Sequence, residues 1–162
     1  MIILNMSTAK RKKEIYLIAQ NIRSLYNVGS LFRTCDAFKV EKIYLCGYTG
    51  TPPRNQISKT ALGAEESVEW EKCQQTLALV KKLKRDGVNV VALETSKKSK
   101  SILKFKPKFP LALIVGHEVE GIKKNILNQA DEIIEISMQG TKESLNVSVA
   151  TGVALFQIDK FR

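Results

Sequence analysis

A single histidine and three cysteines are the only imidazole and thiol groups in this 162-residue chain. Cys35, Cys46 and Cys73 are odd in number, lie far apart in sequence and form no C-x-x-C pair, so neither a disulfide framework nor a zinc site is encoded. They read as small buried apolar side chains. His117 stands beside Glu118 with no G-x-S-x-G nearby, which leaves a serine triad without its parts. Neither G-x-G-x-x-G nor G-x-x-x-x-G-K-[ST] occurs, which argues against dehydrogenase and nucleotide-triphosphatase chemistry. The longest uninterrupted apolar run, Leu111–Val115, falls far short of the roughly 20 residues of a membrane span. The apolar stretch 1–4 is too short for a signal-peptide core and precedes its basic cluster instead of following it. The expectation is a soluble, cytoplasmic protein without metal.

Acidic residues are also scarce, 16 against 26 Lys and Arg, for a net charge of +10. A positive field of this size concentrates polyanions, so nucleic acid is the expected partner. The bases cluster at Lys10, Arg11, Lys12 and Lys13, at residues 81–85, from Lys97, Lys98 and Lys100 to Lys108, and at Lys123 and Lys124.

With 44% hydrophobic residues the chain can bury a core, and its length suits one domain. The simplest division is a short basic arm, residues 1–13, before a single domain, residues 14–162. Strand-like runs at 15–19, 42–46, 88–93, 111–115 and 132–136 alternate with helical spacing at 30–38, 58–66, 74–85, 122–130 and 144–161. That alternation predicts an α/β fold, a mostly parallel sheet with helices on both faces. In the last helix Ser144 is the expected N-cap, with Leu145, Val149, Val153 and Phe156 on one face of a helix buried on most sides. Parallel sheets bind ligands at the carboxyl ends of their strands, which directs attention to the segments after Cys46, Leu93, Val115 and Ile136.

Three segments are unusual for scaffolding. In residues 21–38, Asn27, Gly29 and Arg33 cluster about a turn and a helix start. Gly116-His117-Glu118-Val119-Glu120-Gly121 is a glycine-bounded acidic turn after the most apolar strand. Met138 and Gly140 end a strand, and Ser144-Leu145-Asn146-Val147-Ser148-Val149-Ala150 then runs into a buried helix with more polar side chains than a cap requires.

In this order the three segments resemble the SpoU, or TrmH, family of RNA ribose 2′-O-methyltransferases in the SPOUT superfamily. The family's Asn, Gly and Arg match Asn27, Gly29 and Arg33. Its G-x-E-x-x-G matches Gly116, Glu118 and Gly121, and its third motif matches from Met138 through Ala150. Residues 60–64 also resemble a family segment, and the likeness extends from about residue 15 to 156. One departure is His117, where the family usually has Asn. The resemblance implies a deep trefoil knot in the C-terminal part, a homodimer with its active site completed across the interface, and S-adenosyl-L-methionine as cofactor. It places cofactor contacts on Leu93, Gly116, Ile136, Met138 and Leu145, and catalytic roles on Arg33, Asn27, Glu118, Ser144 and Asn146. Arginine is a poor base because the guanidinium stays protonated, so Arg33 is read as binding a phosphate or the nascent alkoxide. Either tRNA or rRNA fits as substrate, held by Lys10, Arg11, Lys12, Lys13, Lys97, Lys98 and Lys100. The alternatives are a non-catalytic RNA-binding or assembly factor of the same fold, or a base-methylating relative.

Overall fold

The computed structural model describes residues 13–162. Along the chain run β1 (Ile15–Gln20), α1 (Leu25–Ala37), β2 (Lys42–Cys46), α2 (Asn55–Ala61), α3 (Ala64–Ser67), β3 (Trp70–Cys73), α4 (Thr76–Arg85), β4 (Asn89–Leu93), β5 (Lys100–Ser101), β6 (Leu111–Val115), α5 (Lys124–Leu127), β7 (Glu132–Glu135) and α6 (Val147–Asp159). The strands form one parallel sheet in the order β3-β2-β1-β6-β4-β7-β5.

Side-chain alternation assigns each face its own core. Leu17 and Ala19 of β1 and Leu111, Leu113 and Val115 of β6 point to α1, α2 and α6, where Leu31, Phe32, Ile57 and Leu155 cover them. Ile18, Ala112 and Ile114 point the other way, onto Val80 and Leu83 of α4 and Ile126 of α5. The central strands are apolar on both faces, as a sheet covered on both sides requires.

Several elements depart from the sequence reading. Helix α1 begins at Leu25, a turn and a half before the apolar spacing becomes evident, because the Ser24 side chain caps it by accepting from Asn27 N. The helix expected at 58–66 is split in two by Leu62 and Gly63, both left-handed. Strand β3 is masked in the sequence by its exposed Trp70 and Glu71 and by the polar Lys72, whose Nζ donates to Gly47 O and Thr49 O, and β5 spans only two residues. Cys46 and Cys73, distant in sequence, are register neighbours on β2 and β3. Burial pushes the Cys46 thiol up to about 12, consistent with a packing role. The cap of α6 is Asn146, not Ser144. The stripe expected to be buried on α6 is open instead, with Val149 52%, Val153 41% and Phe156 64% exposed; Thr151, Ala154, Leu155 and Ile158 form the buried face.

The direction in which strands are added changes at the centre of the sheet, between β1 and β6. From β1 the chain leaves over one face into α1, and from β6 it leaves over the other toward α5. The carboxyl ends of β1 and β6 therefore open a crevice of the kind that holds ligands in such sheets.

Candidate active site

The loop after β6 is the first part of this crevice. Gly121 has φ +69°, and a Cβ there would lie 2.2 Å from Glu94 Oε2; one on Gly116 would lie 2.6 Å from the Gly121 and Ile122 backbone. Only glycine at both ends lets the loop fold this tightly against the end of β4. Glu94 secures it by accepting from Ile122 N at 3.0 Å. Within the loop, His117 Nδ1 accepts from Val119 N at 3.1 Å and from Glu120 N at 2.9 Å. An asparagine oxygen could accept the same two bonds in such a turn, and Nδ1 is assigned as the accepting nitrogen by the bonds it receives.

Glu118 points from this loop across the crevice to the start of α1. Its Oε2 accepts from Arg23 N at 3.0 Å, and its Oε1 accepts from Ser24 N at 3.1 Å and Asn27 Nδ2 at 3.0 Å. Partial burial acts to raise this carboxyl, but the bonds from Asn27, Arg23 and Ser24 outweigh it and leave the group below its ordinary value. Glu118 is thus held as an anion with its lone pairs engaged. Asn27 then accepts at Oδ1 from Asn146 Nδ2, 3.1 Å away, while Asn146 Oδ1 caps α6 through Ser148 N at 2.9 Å. One chain of hydrogen bonds thereby joins the three sequence segments.

Beside this chain lies a cleft of about 240 Å³ at the ends of β4, β6 and β7. Leu93, Gly116, Ile136, Met138 and Leu145 all line it, together with Glu118, Ser144 and Asn146. Asn27 reaches it through Glu118 and Asn146, whereas Arg33 does not line it and stands exposed farther along α1. Glu94, Thr95 and Glu135 also line the cleft. Sequence reasoning passed over them, and position at the ends of β4 and β7 was the available signal. The lining holds three glutamates and no lysine or arginine, in a chain whose net charge is +10.

Of the basic residues, Lys10, Arg11 and Lys12 lie outside the described residues. Lys13 is engaged at the other chain end, where Nζ donates to Phe161 O at 2.6 Å and Arg162 O at 3.1 Å. Lys100 pairs with Glu132 and lies 5.7 Å from the Phe105 ring centre, so its charge is largely answered locally. Lys97 and Lys98 are exposed. Among the described residues no group of three or more His, Cys, Asp or Glu could hold a metal, and no helix is long and apolar enough to cross a membrane.

Comparison with known proteins gives the same pattern relatives. The chain is 33% identical over 154 residues to the tRNA (guanosine(18)-2′-O)-methyltransferase of Aquifex aeolicus, covering 94% of this chain and 72% of that protein. It is 29% identical over 149 residues to the 23S rRNA (guanosine-2′-O-)-methyltransferase RlmB of Vibrio vulnificus, covering 92% of this chain and 60% of that one. The AdoMet-bound rRNA methyltransferase of Sinorhizobium meliloti superposes with a TM-score of 0.84 at 25% identity, covering 91% of this chain and 56% of that chain. The chain thus spans between about half and three quarters of these relatives' lengths. The model of the SpoU rRNA Methylase family matches residues 14–156, and with its three motifs tied together at one cleft the chain belongs to that family.

Proposed function

We propose that this protein transfers a methyl group from S-adenosyl-L-methionine to a ribose 2′-hydroxyl of tRNA or rRNA. The observation that carries the reading is the chain Glu118–Asn27–Asn146, which fixes the three motifs around one carboxylate-lined cleft. The lining suits the cofactor's cationic groups: carboxylates without a competing base favour a sulfonium and an ammonium, and the apolar Leu93, Ile136 and Leu145 offer a surface for an aromatic base. When bound, the cofactor supplies an electrophilic methyl on a good leaving group. Leu93, Gly116, Ile136, Met138 and Leu145 would hold it.

What the protein contributes is alignment. Glu118, held below its ordinary carboxylate value by three donors, acts as a positioning residue that anchors α1 to the loop. Asn27 and Asn146 fix one another, and Ser144 stands at the cleft mouth to orient the ribose. Arg33 binds the adjoining phosphate or the developing alkoxide, and the 2′-hydroxyl proton leaves to that phosphate or to water.

Arg33 reaches a cleft by coming from a second copy of the chain. The supporting observation is the outer face of α6, where Val149, Val153 and Phe156 are exposed, an apolar surface that a homodimer would cover. In this reading the C-terminal segment forms the family's trefoil knot, residues 1–13 and the exposed Lys97 and Lys98 assist RNA capture, and the protein works in the cytoplasm.

Calorimetric titration with S-adenosylmethionine, followed by methyl incorporation into separate tRNA and rRNA pools lacking the native modification, tests the proposal. Cofactor binding and incorporation into one pool are expected. Absence of cofactor binding overturns it.

A further inference from the structure

A second cavity, of about 420 Å³, opens at the carboxyl ends of the strands on the α4 side of the sheet. It has the opposite chemistry from the cofactor cleft. Its lining carries Lys81 and Lys123, several side-chain amides and the first turn of α4, and no aspartate or glutamate. No side chain caps the amino end of the ten-residue α4, and its first residues, Thr76, Leu77 and Ala78, line the cavity with their N–H groups free of a side-chain cap.

Two buried amides point to a ligand independently of that helix end. Gln20 is 2% exposed and Asn21 8%, and both line the cavity. Gln20 uses its Oε1 to accept from Lys123 N at 3.3 Å, and Asn21 its Oδ1 to accept from Tyr48 N at 3.2 Å. The amide nitrogens Nε2 of Gln20 and Nδ2 of Asn21 donate to no protein group among the described residues, yet neither is sealed from solvent. Their free donors therefore open into the cavity. Two amides with oxygens committed and donors free, a helix amino end and two ammonium groups make a site for an oxyanion.

The site's position suggests which oxyanion. Residues 20–24 separate the two cavities: Gln20 and Asn21 line one, while the Arg23 and Ser24 backbone holds Glu118 at the other. We infer that this cavity takes a backbone phosphate of the RNA strand that presents its ribose at the cofactor cleft. The inference rests on the reading above. It gives the polyanion a route past the cleft's glutamates, because the strand is gripped one step aside from them.

The test compares RNA retention on filters across a salt series for the wild type, Lys81→Ala, Gln75→Glu and Lys39→Ala, with cofactor affinity measured on each. Gln75→Glu is isosteric, and a carboxylate at a helix start is favourable for folding; Lys39 lies at the opposite, amino-terminal end of the sheet. Lys81→Ala and Gln75→Glu are expected to weaken RNA binding about three- to tenfold and to lower the salt slope by about one, with cofactor affinity unchanged and Lys39→Ala near wild type. Unchanged RNA binding in both cavity variants overturns the inference, as does an equal loss in Lys39→Ala. A parallel titration with inorganic phosphate separates the sources: binding of free phosphate that the variants abolish while RNA affinity stays intact also overturns it. Failure of the wild type to bind RNA at all tells instead against the proposed function.

Discussion

Asn146 Nδ2 donates to Asn27 Oδ1 at 3.1 Å across 119 positions of sequence, so the residue that caps α6 also fixes the residue that Glu118 holds on α1. Neither asparagine can serve the site alone. Asn27→Ala and Asn146→Ala are each expected to lower kcat/KM by about ten- to a hundredfold, as loss of a hydrogen bond linked to a charge implies, and the double variant is expected to lose little more. A double-mutant cycle measures this coupling; strict additivity would dismiss the shared chain.

Glu118→Gln turns one accepting oxygen into a donor facing an N–H. A loss of about 1–3 kcal/mol is expected in urea unfolding at neutral pH. Because the native carboxyl lies below its ordinary value, its contribution is present above the unfolded carboxylate range and is lost as pH falls through the native value. The stability gap between wild type and Glu118→Gln should be constant from pH 8 to about 5 and close at lower pH. A gap that widens on acidification would reverse the assignment.

The parallel sheet and its two covers were legible because β1, β2, β4 and β6 are short apolar runs separated by helical spacing. β3 was not, since at the sheet edge it carries Glu71 and Lys72 in place of an apolar run. The five residues expected from motif likeness to contact a cofactor, Leu93, Gly116, Ile136, Met138 and Leu145, all line one cleft. The roles of Glu94 and of the buried amides of Gln20 and Asn21 were illegible: they arise from strand ends and loops that meet only in three dimensions. Likewise, apolar periodicity in α6 could not tell a face buried within the chain from one left open, and Val149, Val153 and Phe156 are open.

His117→Asn is expected to keep activity within about threefold, because the amide oxygen can accept the bonds now made to Val119 N and Glu120 N. His117→Ala removes the acceptor and is expected to raise the KM for the cofactor more than it lowers kcat. Equal activities of the two variants would mean that the turn does not depend on this acceptor.

The exposed apolar face of α6 gives a direct test of assembly. Val153→Asp is expected to yield monomers by sedimentation and to abolish methyl transfer. Mixing the impaired Arg33→Ala with the impaired Asn146→Ala is expected to raise activity above that of either variant alone, since a mixed dimer has one site with both intact groups. No recovery after subunit exchange would place Arg33 and Asn146 in the same chain's site.

Arg33→Lys keeps the charge and loses the planar fork. It is expected to lower kcat by at least about tenfold while cofactor affinity is retained. Near-normal turnover would remove the requirement for bidentate contact.

The most direct measurement is the position of the transferred methyl. After reaction with labelled S-adenosylmethionine, the RNA is hydrolysed in alkali, which needs a free 2′-hydroxyl to cleave the adjoining phosphodiester. Label in alkali-resistant dinucleotides is the predicted result. Label confined to mononucleotides would place the methyl on a base and contradict ribose methylation.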